Sequence, residues 1–182
     1  MGHRTGPATA RPIDRARLDE LALAYVGRFA TSRAKLVAYL RRKLRERGWA
    51  GEGEPPVGVI ADRLVRLGYV DDEVFALAKA RSLLDRGYGA RRVGEQLRGA
   101  GIGEAEGAAA LELAGERAAE AALRFARRRR IGPWAVQPPG PKEREKAIAA
   151  MIRAGHRLAL AAAIVDAPAG EDLTAESLAD IR

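Results

Sequence analysis

The 182-residue chain contains no cysteine, which excludes disulfides and thiolate metal sites. Its two histidines, His3 and His156, lie far apart in sequence, so neither a histidine-based metal site nor a Ser-His-Asp triad is expected. Aromatic residues make up only 5% of the chain and β-branched residues are few, which argues against strands. No apolar run approaches the roughly 18 residues of a membrane span. Met1–Pro12 lacks the apolar core of a signal peptide, so a cytoplasmic protein without a membrane partner is expected. No glycine-rich loop of the kind that cradles nucleotide phosphates is present, and no cofactor is expected.

What is abundant is Ala, Leu, Arg and Glu, all good helix formers. The net charge of +8 favours an acidic partner: nucleic acid, an anionic membrane surface or an acidic protein groove. The length suits one domain or a short array of small units and allows about 70% of the unfolded chain's surface to be buried.

Helical periodicity runs through most of the chain. Leu18, Leu21, Ala22, Tyr25 and Phe29 make the apolar stripe of a first helix. Thr31 or Ser32 caps a second helix, which carries Leu36, Tyr39, Leu40 and Leu44 on one face and stops at Gly48. A Gly- and Pro-rich loop leads to a third helix with Val59, Ile60, Leu64 and Leu67. The stretch from Arg63 to Ser82 then reads as stop, turn and restart. Gly68 suits a left-handed helix end, Tyr69 and Val70 fill the turn, and Asp71 or Asp72 caps a fourth helix spanning about 72–86. Further helices are predicted near 90–99, 104–114, 116–130, 142–154 and 158–166. Gly132–Pro141 is too rich in Pro and Gly for regular structure, although Trp134 within it could anchor a partner.

Three glycines end comparable helices: Gly48, Gly101 and Gly155, 53 and 54 residues apart. An apolar residue stands four positions before each (Leu44, Leu97 and Met151). This spacing predicts an all-α fold of three tandem three-helix repeats stacked into an elongated, curved array. The expected segments are a disordered tail 1–17, repeats at 18–67, 68–114 and 115–166 with the Pro-rich insertion 132–141, and an acidic tail 167–182. Tyr69 and Phe75 are expected in the core, and Trp49 is expected to pack back on its own helix. His156 has no partner in sequence and reads as core or surface.

The second helix is the most informative for function. From Arg33 to Arg47 it holds seven bases and one acid. At about 100° per residue, Lys35, Arg41, Arg42 and Arg45 point away from the Leu36–Leu40–Leu44 stripe. That is either a binding face or a solubilising one. Arg91, Arg92 and Arg98 give the corresponding helix of the second repeat the same sign. The run containing Arg127 and Arg128 is either a further contact or a set of bases matched to a helix C-terminus. Five acids between Glu104 and Glu120 show that the charge is segregated. Asp71 and Asp72 could suggest paired carboxylates, but capping accounts for them, so no catalytic residue is nominated and no enzyme is expected.

Arg66-Leu-Gly-Tyr-Val-Asp-Asp-Glu-Val-Phe-Ala76 resembles the most recognisable segment of the bacterial recombination regulator RecX family. Ser32-Arg-Ala-Lys-Leu36, with Leu40, Leu44 and Gly48, resembles that family's first motif, and Gly89–Ile102 resembles its third. The likeness covers about 20–166. In the third repeat the family's basic pair, Gly and aromatic are replaced by Arg153-Ala-Gly-His156. The resemblance implies tandem three-helix repeats and a non-enzymatic monomer. It also implies binding to the RecA filament, with inhibition of its recombinase, ATPase and coprotease activities and possible contact with DNA. Its rivals are a stand-alone DNA-binding helical module and a helical-repeat scaffold for another acidic partner.

Overall fold

The computed structural model describes residues 11–178 and residue 181. Among the described residues it is all-helical, with no strand. The helices are α1 (Arg15–Val26), α2 (Arg33–Arg47), α3 (Val57–Arg66), α4 (Asp72–Asp85), α5 (Ala90–Gly99), α6 (Glu104–Glu116), α7 (Ala118–Arg129), α8 (Pro141–Arg153) and α9 (Leu158–Asp166). The predicted boundaries hold to within a few residues. The chain divides into two compact units, Met1–Phe75 and Ala76–Arg182.

The first unit packs α1, α2 and α3 around Leu18, Ala22, Leu36, Leu40, Ile60 and Leu64. The expected stripe of α2 lines this core, but on α3 only Ile60 and Leu64 of the expected stripe do: Val59 and Leu67 are 60% and 63% exposed, and Val57 and Ala61 are buried in their place. The first helix, α1, differs at both ends. It starts at Arg15 under an Asp14 cap, whose carboxylate accepts from the Arg17 N–H at 2.8 Å. It stops at Gly27, so Phe29 lies beyond the helix and is 56% exposed. Residues 11–17, expected in a disordered tail, are therefore partly structured; the rest of that expectation falls on 1–10, outside the described residues. Ile13 is fully buried because it pairs with the loop after α2: its N–H donates to Gly48 O and its carbonyl accepts from Ala50 N–H, both at 3.0 Å. Trp49, in the same pairing, packs against the core of the unit.

The turn between α3 and α4 has the predicted chemistry. Gly68 adopts a φ of +76°, and the Tyr69 N–H reaches back to Leu64 O at 2.9 Å. These bonds satisfy carbonyls left open at a helix end. Tyr69, however, is 59% exposed and Phe75 only half-buried, so neither is the core residue expected. The backbone bond fixes Tyr69 at the turn and leaves its ring outside, while Val70 is the residue that turns inward. The two aspartates have separate tasks. Asp71 caps α4 through the Val74 N–H at 2.9 Å. Asp72 accepts from the Arg33 N–H at 2.8 Å, and so caps α2 from 39 residues away, beside Ser32, which accepts from the Lys35 N–H.

In the second unit a core of Phe125, Met151, Leu160, Ile164 and Val165 joins α7, α8 and α9. Leu178 is buried in it, and Leu173 and Ile181 pack against it, so the acidic segment after α9 returns to the core of the unit. The Pro-rich stretch contains one 3-10 turn, Gly132–Trp134, and Trp134 packs on this core rather than standing out as an anchor. A tight backbone junction joins the start of α5 to the turn between α8 and α9. The Gly89 N–H donates to Ala154 O at 2.9 Å, and the Arg91 N–H donates to Gly155 O at 3.3 Å. Gly155, at φ +99°, has no room for a side chain: a Cβ there would lie 2.5 Å from the Arg92 backbone nitrogen. Gly48, Gly101 and Gly155 all have positive φ, so the three spaced glycines share a backbone requirement that favours glycine.

Candidate functional site

The basic face of α2 is the best-defined candidate in the first unit. The buried Leu36 and Leu40 hold one side of the helix, and Arg41, Arg42 and Arg45 are exposed on the other. Ser32 and Asp72 cap its N-terminus, and the Arg33 guanidinium donates to Asp62 of α3 at 2.7 Å. That bond holds the Asp62 carboxyl below its usual pKa. The nominated arginines differ in freedom. Arg42 lies 3.7 Å from Glu46 and over the Tyr39 ring, whereas Arg41 and Arg45 have no ion-pair partner among the described residues. Lys35 stands over the Phe75 ring at 5.2 Å. The α4 segment therefore holds the start of α2 at two points, through Asp72 and Phe75.

One neighbouring feature escaped the sequence reading. Arg28 and Phe29, just past α1, adjoin Tyr25, Tyr39 and Arg42 around a cleft of about 320 Å³. Tyr25 stacks on Tyr39 with ring centroids 4.1 Å apart, and Phe29 tilts against Tyr25 at 5.4 Å. The sequence signal was the four-residue spacing of Tyr25 and Phe29, which suits packing equally well; Gly27, which ends the helix before Phe29, was the cue to exposure.

The nominated bases of the second unit are more committed to structure. Arg91 and Arg92 share Glu95, at 3.6 and 3.2 Å, and the Arg91 guanidinium also donates to the Ile152 carbonyl at the end of α8. Arg98 and Arg127 have no ion-pair partner among the described residues. Arg128 and Arg129 lie over the Phe125 ring, at 6.0 and 5.6 Å. Arg117 bridges Asp85 at 3.0 Å and Glu120 at 2.7 Å. The Arg117 hydrogen bond, with a further one from Arg124, holds the Glu120 carboxyl down at about 2. His156 is buried, with Nε2 3.1 Å from Gly87 O. A carbonyl can only accept, so Nε2 carries a proton; burial pushes the pKa of the ring below the usual value and so favours its neutral form. Among the described residues no three His, Asp or Glu side chains gather as metal ligands, and no helix is long and apolar enough to cross a membrane.

No family model matches the chain. Over 169 residues it is 31% identical to the regulatory protein RecX of Myxococcus xanthus (strain DK1622), a match covering 88% of this chain and 90% of the relative. Over 92 residues it is 41% identical to the regulatory protein RecX of Mycobacterium sp. (strain JLS), covering 50% and 49%. The crystal structure of RecX from Lactobacillus salivarius aligns with a TM-score of 0.63 at 17% identity, covering 82% of this chain and 93% of that one. A second crystal structure of regulatory protein RecX aligns at 0.59 and 24% identity, covering 80% and 68%. The two structures share the helical fold, and the Myxococcus relative matches along nine-tenths of its own length. The chain belongs to the RecX family of regulatory proteins.

Proposed function

We propose that this chain is a non-enzymatic regulator that binds the RecA nucleoprotein filament and restrains its recombinase, ATPase and coprotease activities. Membership of a family of regulatory proteins supports the first part. The observation that carries the second is the α2 face, where Arg41 and Arg45 are exposed without ion-pair partners among the described residues, on a helix fixed by caps and a core. Long-range attraction to acidic protein or DNA phosphate would speed docking there, and buried apolar contacts would set the lifetime of the complex. Arg98 and Arg127 are the corresponding bases of the second unit without ion-pair partners among the described residues. Arg42, Arg91, Arg92 and Lys35 contribute after exchanging their present partners, and Arg128 acts from its place over Phe125. In this reading the protein works as a cytoplasmic monomer built of three three-helix repeats, at 18–67, 68–114 and 115–166.

The test is RecA-driven strand exchange and ATP hydrolysis with and without the protein. Inhibition at near-stoichiometric amounts is expected, and the double variant Arg41→Glu, Arg45→Glu should need several-fold more protein for the same effect. No change in either activity at a stoichiometric ratio would sink the reading. The rival, a DNA-binding module acting alone, shares the same basic face; it predicts equal affinity for naked DNA and for the filament.

A further inference from the structure

We propose that the cleft formed by Tyr25, Phe29 and Tyr39 binds single-stranded nucleic acid, with an unpaired base against Phe29 and phosphates at Arg28 and Arg42. The exposed aromatic is the first support. Phe29 is 56% exposed although it lies against Tyr25, so an apolar ring faces solvent beside the opening of a concave site. A fully apolar partner would not need what surrounds it. Among the described residues Arg28, on the α1 side, has no ion-pair partner, and Arg42, on the α2 side, is held by Glu46 at 3.7 Å and by the face of Tyr39. The rim is thus cationic on both sides, and the floor is a pre-stacked pair of rings.

That combination selects among anions. An inorganic anion would use the guanidinium groups and leave the rings idle. An acidic peptide would satisfy the charge, but the flat faces would give it little selectivity. A base presents a flat π-face with a phosphate on each side, which matches both parts, and aromatic stacking of this kind tolerates any sequence. The base must be unpaired, because a duplex already stacks its bases on one another. Arg41 and Arg45, one turn apart on α2 and about 6 Å along its axis, are exposed on the same helix as Arg42 and add to its positive charge. Arg42 is legible in the sequence as a contact; the rings and Arg28 are not.

The test needs no recombinase, so its outcome is separate from that of the regulatory reading. The full chain is titrated against a fluorescein-labelled oligothymidylate of about 20 nucleotides, longer than a footprint of roughly 4–16 nucleotides, and anisotropy is followed across salt. Phe29→Leu keeps an apolar side chain and removes the ring; it should weaken binding about fivefold or more. Arg28→Gln should weaken it and lower the salt slope by about one. Both positions are exposed, and circular dichroism checks that the variants are folded. Phe29→Leu within twofold of the parent would overturn the proposal. So would a same-length duplex that binds as tightly as the single strand, or polyglutamate of equal charge that competes as well as unlabelled oligothymidylate; those results point to groove docking and to an acidic polypeptide.

Discussion

Gly89→Ala tests whether the junction between α5 and the α8–α9 turn holds the second unit together. Gly89 has φ −84°, a conformation that alanine adopts freely, so any penalty is steric. The added Cβ would lie 2.3 Å from the Gly155 oxygen, 2.5 Å from its carbonyl carbon and 2.7 Å from the His156 nitrogen. All three obstacles are backbone, and none can rotate away. Overpacking of this kind costs about 1–3 kcal/mol. Separating the backbones also weakens the Gly89–Ala154 and Arg91–Gly155 hydrogen bonds, each contributing about 1 kcal/mol. The expected loss is about 2–4 kcal/mol. Gly99→Ala is the matched control in the same helix: nothing lies within 4 Å of its Cβ position, and helix propensity predicts a gain of up to about 1 kcal/mol. Urea denaturation of the full chain, followed by circular dichroism, measures both. A Gly89→Ala variant within about 0.5 kcal/mol of the parent would show that the junction relaxes and that the reasoning is wrong.

Asp72→Ala should cost about 1 kcal/mol, the usual loss for a helix cap, and hydrogen exchange should quicken at Arg33 near the start of α2; unchanged exchange there would mean that Ser32 suffices. His156 predicts acid sensitivity. Its folded pKa lies below the ordinary value near 6.5, so above that pH it is neutral in both states and stability is flat. As the pH falls below 6.5 the unfolded chain takes up the proton first, and stability declines by up to about 1.4 kcal/mol per unit until the folded pKa is reached. His156→Gln should flatten the slope just below pH 6.5, and an unaltered slope would assign the effect elsewhere.

Local signals carried the helices. Ser32, Gly68, Asp71 and Gly101 each act within a few residues, so caps and stops were legible from spacing alone. Long-range partners were not. Ile13 is buried through hydrogen bonds to the loop after α2, and nothing in its own neighbourhood marks it. Asp72 looked like a cap for its own helix and instead serves another. Tyr69 and Phe29 carried the composition of core residues, but the first belongs to a turn whose backbone was the important part, and the second follows a helix that had already ended. The charge on α2 was legible, whereas the pairing of Arg91 and Arg92 with Glu95, and of Arg91 with the end of α8, depended on tertiary placement.

The remote cap on α2 bears on the order of folding. This helix has no acid in its first turn, and its single acid, Glu46, lies near the other end, so its N-terminal end gains nothing from acids matched to the dipole. Its first N–H finds a partner only after the chain has closed a loop of 39 residues to bring Asp72 back. Formation of the charged helix is therefore tied to completion of α3 and the α4 turn. A nascent or partly unfolded chain would not display an ordered row of arginines, and the positive surface would become available to polyanions as the last product of folding of the first unit.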